Sequence, residues 1–482
     1  KDLYERSRQV AMMREIYSQA DNAIVWLGDC DEITRKCIRT IKTIHDRYER
    51  SSNGNITERG IAELHDPLMK DLGVDNFVDE WPLFASPWFR RTWVVQEVFN
   101  AKAATVYCGQ DTLNWPIVLR VNRCIRRAKL KTNFGYKALM PPLFADLFDL
   151  KETGPFLRQI DLSTQSEILE ISIRGLDLDA TDPRDKVFAL LQFGEETHQS
   201  DLLPPELRPD YHKTTAQVFF DFTRWWIVTH QSLRILSTIQ TSSGRTWQET
   251  SCTQTSDPVE ARPSWSLWYR GHSHWANGIL GLSVDSPYRA AADTVPGTHV
   301  ILRSQGSLYL PLVGRRIITI ENIMPYPYYQ PHSDHQDLHD VYIAIFDPVN
   351  EHGKWTRSLY SQQSKYNTPS DVPHHQLDHL RAHYDYAKAT GAVECHSDCF
   401  FNTPDGLIGL CPPSARHDDL IVVLHGGRVP YVLRQQGGPR IASKDAIRYE
   451  FIGECYLRDY MEGRAIREQQ EKNLPTEVFE LV

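Results

Sequence analysis

The chain has 482 residues, 41% of them hydrophobic and 24% charged. That is ordinary globular composition and too long for a single core, so two or three domains are expected. A net charge of −9, with Lys and Arg scattered along the chain, argues against a protein built to hold nucleic acid, and no apolar run approaches the roughly 18 residues that a membrane span needs.

Residues 3–20 place Val10, Met13, Ile16, Tyr17 and Ala20 at helical spacing. Residues 23–28, "AIVWLG", read as a buried strand that ends at glycine. Helical spacing returns over 31–48 through Ile33, Cys37, Ile38, Ile41 and Ile44. In "SPWFRRTWVVQEVFNAKAATVYCG", residues 86–109, Ser86 is a natural N-cap and Pro87 a natural first helical residue. The pattern predicts a helix from Pro87 to about Ala101 and then the strand "ATVYC". Helix, strand, helix, helix, strand is an α/β order, and it predicts a parallel sheet covered on both faces.

From about 116 to 240 the sequence is mainly helical. In "ATDPRDKVFALLQFG" Asp182 is the expected cap, Pro183 the first helical residue and Gly194 the end. Arg184 and Asp185 are expected to bridge this helix to the α/β portion. "AQVFFDFTRWWIV" is a strongly apolar helix in which Trp225 and Trp226 read as core. Residues 241–265 are polar and rich in Ser, Thr and Pro, which marks a boundary. Beyond 263 the texture becomes β-rich, with "HGGR" at 425–428 as a hairpin turn between two strands.

The nine cysteines are sparse and irregularly spaced, and several lie in apolar runs. They read as reduced, partly buried thiols of a cytoplasmic protein. His375, His379 and His383 stand at i, i+4 and i+8, and "ECHSDC" adds Cys395, His396 and Cys399. No second cysteine pair at matching spacing accompanies them, so a solvated histidine-rich insertion is expected and no metal.

The residue that asks for an explanation is Glu97. It sits among Val94, Val95, Val98 and Phe99, and a carboxylate in such surroundings is costly unless paired, hydrogen-bonded or protonated. One reading makes it a structural acid paired with an arginine. The other has it line a cleft, with Trp93 one turn away to stack on a base or nicotinamide ring and Arg90 two turns earlier to hold a phosphate.

"RSRQVAMMREIYSQADNAIVWLGD", "SPWFRRTWVVQEVFNAKAATVYCGQ", "ATDPRDKVFALLQFG", "RPSWSLW" and "GLIGLCPPSARHDDLIVVLHGGRVPYVLR" together resemble the heterokaryon-incompatibility (HET) domain proteins of filamentous fungi. The resemblance covers most of the chain, and it implies that the family's opening blocks belong before Lys1. It implies a Toll/interleukin-1 receptor (TIR)-like, flavodoxin-like parallel α/β portion over 1–120, a helical region over 121–245 and a β-rich module over 263–482. Some TIR domains hydrolyse NAD through a Glu in a Trp-Cys-x-x-Glu motif. "TWVVQE" is similar, with Trp93 and Glu97 in place and the Cys absent. By that analogy Glu97 is the catalytic residue, Arg90 and Trp93 bind the substrate, NAD is the substrate rather than a cofactor, and no metal is used. The family's role is non-self recognition that triggers programmed cell death, with an unknown protein partner and with homo-oligomers formed through the TIR-like domain. The alternative within the same resemblance is a signalling or scaffold protein that works by self-association without chemistry.

Overall fold

The computed structural model describes residues 2–50, 83–84, 86–129, 167–175, 178–239, 263–267, 281, 286, 288–303, 309–324, 399–405, 407–436 and 447–482. These residues fall into two compact units, one holding the described residues up to Val218 and the other those from Phe219 onward.

The first unit opens with helices α1 (Leu3–Ala11) and α2 (Met13–Gln19), strand β1 (Ala23–Trp26) and helix α3 (Glu32–Arg50). Asp2 caps α1, its carboxylate accepting from the Tyr4 and Glu5 N–H groups at 2.9 and 3.1 Å. Asp31 does the same for α3 through the Thr34 N–H at 2.6 Å. A short 3₁₀ turn (Pro87–Arg90) precedes α4 (Val94–Asn100), and then come β2 (Ala104–Cys108), β3 (Asp111–Asn114) and α5 (Trp115–Lys129).

The sheet is mixed. β1 runs parallel to β2 in the register Val25↔Val106, and β3 returns antiparallel with Val106↔Leu113. The all-parallel sheet expected from the sequence is therefore corrected. Gly109 and Gln110 alone join β2 to β3, and so short a link can make a hairpin but no crossover. One face of the sheet, with Val25, Val106, Cys108 and Leu113, is buried. α5 packs against β2 and β3, and α3 against β3 and α5. The opposite face leaves Ile24 and Trp26 at 68% and 55% exposure, so β1 is not covered on both sides as expected.

The helical stretch continues with α6 (Ile168–Arg174) and α7 (Asp185–Phe188), followed by 3₁₀ turns to α8 (Thr215–His230). α8 is apolar nearly all round, as its sequence predicts. Phe219, Phe222, Trp226 and Ile227 are fully buried or nearly so, and Trp225 is buried beside them.

The second unit adds α9 (Thr298–Arg303), β4 (Leu310–Thr319), β5 (Asn322–Met324), β6 (Cys399–Asn402), β7 (Ile408–Cys411), β8 (Leu420–Leu424), β9 (Tyr431–Gln436), β10 (Arg448–Glu454), β11 (Tyr456–Leu457), α10 (Arg464–Glu471) and β12 (Glu477–Leu481). Five strands close into a barrel in the order β10-β12-β4-β8-β9, and β11-β7-β6-β5 form a second sheet. Closure leaves the barrel no free edge. Every residue of β8 is buried, and Tyr431, Phe451 and Phe479 fill the core. "HGGR" forms the β8–β9 connection, as expected. Gly426 adopts φ +83°, and a Cβ there would stand 2.3 Å from the Pro296 ring, so conformation and space both require glycine.

One buried ion pair ties the β8 approach to β9. Arg434 forks onto Asp419, Nε to Oδ1 at 2.9 Å and a terminal nitrogen to Oδ2 at 2.8 Å, and it also donates to the Ser414 carbonyl at 2.7 Å. Asp419 is 3% exposed. Asp419→Ala would remove the buried partner of the Arg434 guanidinium, which would keep only Glu450 at 3.6 Å and the Ser414 carbonyl, and a loss of about 1–3 kcal/mol is expected. Urea unfolding of the full chain measures it, and an unchanged midpoint would mean that the pair contributes nothing.

Candidate functional site around Glu97

α4 begins only at Val94, with Trp93 as its N-cap, because the backbone of Arg90 and Thr92 pairs with Asp179. The Thr92 N–H and hydroxyl both donate to the Asp179 carbonyl at 2.9 Å, and the Asp179 N–H donates to the Arg90 carbonyl. Arg91 and Asp179 form an isolated parallel bridge. The helix expected over 87–101 is thus two pieces. Ser86 still caps the first, accepting from the Trp88 N–H at 3.4 Å, with Pro87 at its start.

This break takes Arg90 off the helix that carries Glu97, while Trp93 stays one turn before it, its carbonyl accepting from the Glu97 N–H at 3.3 Å. Arg90 ends the 3₁₀ turn, while Glu97 lies in the first turn of α4. Trp93 sits at the junction, and its indole is near enough to Asp185 to lower the pKa of that carboxyl. Glu97 is half-buried on the helix that packs against α2. Among the described residues its carboxylate takes no hydrogen bond and no ion pair. Burial pushes its pKa up, and the Arg91 guanidinium opposes part of that rise. Tyr17 of α2 is close enough to feel the charge: burial first, then Glu97, raises its phenol. Tyr17 and Arg91 thus lie near enough to Glu97 to share its charge, and Trp93, one turn before Glu97, also lies beside a polar cluster around Asp185.

That cluster is the "DPRD" segment seen from inside. Arg184 forks onto Asp182 at 2.9 and 2.8 Å and also donates to the carbonyls of Tyr211 and Lys213 at 2.9 and 2.7 Å. Arg6 of α1 reaches Asp182 at 2.8 Å and Asp185 at 3.3 Å, and its guanidinium lies 3.7 Å from the centre of the Tyr211 ring. The Tyr211 hydroxyl donates to Asp185. The bridging role expected of Arg184 and Asp185 is filled by Asp182 and Asp185 receiving Arg6, with Arg184 anchoring Asp182. Asp182 accepts from the Arg184 N–H at 3.1 Å within a turn, but the helix expected from Pro183 to Gly194 is corrected. The first bonds, Asp185 N–H to the Asp182 carbonyl and Lys186 N–H to that of Pro183, are tight turns. α7 therefore starts only at Asp185, with Arg184 as its N-cap and no side-chain cap, and a 3₁₀ turn over Leu191–Phe193 follows it.

The two aspartates shift in opposite directions. Burial raises both, but the hydrogen bonds and charge of Arg184, helped by Arg6, hold Asp182 below the ordinary carboxylate range. Asp185 stays raised, because the hydrogen bond from Tyr211 and the nearby Trp93 indole do not cancel its burial and the Asp182 charge adds to it. A lowered folded-state value stabilises the fold above the ordinary aspartate pKa, and that contribution is lost as pH falls toward the lowered value. Asp182→Asn should therefore be less stable than wild type near neutrality, and the gap should close in strong acid. A gap that is constant with pH, measured by urea unfolding at several pH values, would contradict the ionic role of Asp182.

Tyr17, Arg91 and Arg6 were not singled out by sequence reasoning. Tyr17 appeared there only as one apolar position of a helix, and nothing local marks its closeness to Glu97. No group of three or more metal-binding side chains occurs among the described residues. His375, His379, His383, Cys395 and His396 lie outside those residues. No helix among the described residues is long and apolar enough to cross a membrane.

A mixed α/β unit followed by a closed five-stranded barrel is the setting in which the comparisons with known proteins fall. Residues 1–97 match the family described as "Heterokaryon incompatibility protein (HET)", and residues 332–474 match the "Het-6 beta-barrel domain". The chain thus carries a HET domain over residues 1–97 and a Het-6 β-barrel domain over residues 332–474. It is similar to "Heterokaryon incompatibility protein 6, OR allele" of Neurospora crassa, 26% identical over 276 residues, which cover 49% of this chain and 39% of that protein. The chain thus aligns with less than half the length of this curated relative. No solved structure matches it. The barrel match spans β6 to α10, while β4 and β12, which complete the barrel, lie on either side of it.

Proposed function

We infer that the chain acts in heterokaryon incompatibility, as a non-self recognition protein whose activation leads to cell death, and that it does so by hydrolysing NAD at Glu97. The observation that carries the chemical part is a half-buried carboxylate to which no described group is hydrogen-bonded or ion-paired. Such an acid has no such partner among the described residues to offset its burial, so a positive charge developing on a ligand beside it can supply one. In the reaction the bond between the nicotinamide nitrogen and the ribose C1′ breaks, and its electron pair leaves with nicotinamide. The ribose develops oxocarbenium character, which a carboxylate beside it stabilises. Water then adds at C1′ and releases a proton, giving ADP-ribose. Nicotinamide is a good leaving group without protonation, so one carboxylate suffices. Incubating the full chain with NAD and following free nicotinamide tests this. No release at any protein concentration, including concentrations high enough for self-association, would remove the hydrolase reading.

The second reading is a non-catalytic scaffold that self-associates and recruits a partner. It is favoured by the open sheet face, where Ile24 and Trp26 are largely exposed. Sedimentation of the full chain checks it. A monomer at every concentration, unchanged by polar substitution of both residues, would set that reading aside.

A further inference from the structure

The thiols of Cys30 and Cys108 have no part in the site around Glu97, yet the fold brings them together. Cys30 lies in the loop between β1 and α3, immediately before the Asp31 cap, and Cys108 is the last residue of β2. Three features of the backbone hold these segments in contact. The Gly109 N–H donates to the Gly28 carbonyl at 2.8 Å. A Cβ on Gly109 would stand 3.3 Å from both the Cβ and the nitrogen of Cys30, so the approach leaves almost no room for a side chain, and Gly109 adopts φ +57°. Arg35 spans the junction, with one nitrogen 3.4 Å from the Cys30 carbonyl and another 3.2 Å from Asp111, which pairs with Cys108 across the β2–β3 hairpin. Across this junction Cys30 is near enough to Cys108 to raise its thiol. Both cysteines are free thiols. Cys30 is partly exposed, and Cys108 is buried at 2% exposure.

We propose that Cys30 and Cys108 form a redox-responsive pair, in which a peroxide oxidises Cys30 and Cys108 resolves it to a disulfide. The partly exposed Cys30 sulfur attacks one peroxide oxygen. The O–O bond breaks, and the departing hydroxide takes the thiol proton to give water and the sulfenic acid of Cys30. The Cys108 sulfur then attacks the Cys30 sulfur. The S–O bond breaks, the oxygen leaves as a second water with the Cys108 proton, and the S–S bond forms. Two electrons pass from the two sulfurs to one molecule of hydrogen peroxide. Exposure fixes the order of events, because attacking thiols must be accessible and the resolving thiol need only be adjacent. Burial pushes the Cys108 thiol up to about 12, with nearby Cys30 and the charges of Asp111 and Asp31 adding to the rise, so it is suited to the second role rather than the first.

Cys37 is the rival partner. It is one of the buried residues of α3, and Cys30 is near enough to affect its ionisation, although burial is the main cause that pushes its thiol to about 12. It lacks what Cys108 has, a backbone contact that clamps its segment against Cys30. The proposed link joins the loop after β1 to the end of β2, so it would fasten the parallel pair of strands at their common end. This inference is independent of the role assigned to Glu97.

The experiment uses the full reduced chain, treated with a small molar excess of hydrogen peroxide, alkylated under denaturing conditions and digested for mass spectrometry. The expected result is a cross-linked peptide pair containing Cys30 and Cys108, lighter by two hydrogens than the two thiol peptides and returned to them by dithiothreitol, with Cys37 recovered as an alkylated thiol. Cys108→Ala should lose the link and accumulate the Cys30 sulfenic acid, trapped by dimedone. Cys37→Ala should keep the link. Recovery of Cys30 and Cys108 as free thiols in the wild-type chain, or a Cys30–Cys37 link in its place, would overturn the proposal. The wild-type measurement decides even if a variant fails to fold.

Discussion

Asp185→Ala is expected to destabilise the chain by about 3–5 kcal/mol, the range measured when one member of a buried charged network is removed. Asp185 is 6% exposed and receives two donors from distant parts of the chain, the Tyr211 hydroxyl and Arg6. Removing the carboxylate leaves a buried hydroxyl without an acceptor, and that loss carries its own desolvation cost. It also frees one of the two ion pairs by which Arg6 holds α1. Asp185→Asn keeps an oxygen in place and should lose less. Urea unfolding of the three proteins gives the order wild type, Asn, Ala. An alanine variant with the wild-type midpoint would show that the cluster does not hold the first unit together.

Glu97→Gln should reduce nicotinamide release by roughly 100- to 1,000-fold, or about 2.7–4 kcal/mol of barrier, the usual loss when one electrostatic stabiliser of a transition state is removed. Glutamine keeps the shape and can still meet ribose hydroxyls, so binding should change far less than turnover. The same substitution should move stability the other way. Burial raises the Glu97 pKa, so the folded chain holds that proton more tightly than the unfolded chain does. Wild-type stability therefore falls as pH rises from the ordinary glutamate value to the raised one. Glutamine does not titrate, so the variant should become more stable than wild type across that interval and remain so above it. The acid limb of activity should lie above the ordinary glutamate pKa, since only the carboxylate is competent. A variant that loses activity while gaining stability is the signature of an acid kept for function.

Much of this architecture was legible in the sequence because its causes are local. Ser86 with Pro87, and Asp182 with Pro183, announce their turns through cap chemistry. The spacing of Cys37, Ile38, Ile41 and Ile44 gives α3 and its buried side. The glycines of "HGGR" mark the hairpin between two β-branched runs, and the apolar run through Phe219 and Trp226 gives α8. What was not legible depends on residues far away in the chain. The helix breaks at Arg91 and Thr92 because Asp179, 87 residues on, supplies the backbone partner, and no local propensity encodes that. Arg6 meets Asp185 across 179 residues. The mixed character of the sheet was readable in principle. "CGQD" is a two-residue link with a glycine, but β3 is only four residues long and runs directly into α5, so the helical signal masked it.

Glu97 itself was found by a simple contradiction, a charge in an apolar setting. The wheel then assigned it Arg90 and Trp93 as neighbours, because it assumed one continuous helix. With the helix broken, Arg90 leaves that helix, Trp93 stays one turn before Glu97, and α2 and Arg91 add Tyr17 and a guanidinium that spacing did not reveal.

Nicotinamide release from NAD, followed side by side for the wild-type chain and for a Glu97→Gln chain shown by circular dichroism to be folded, bears most directly on the idea that this carboxylate is held charged for a sugar ring. Steady release by the wild type and near-background release by the variant is the outcome expected. Equal rates from the two proteins would contradict it.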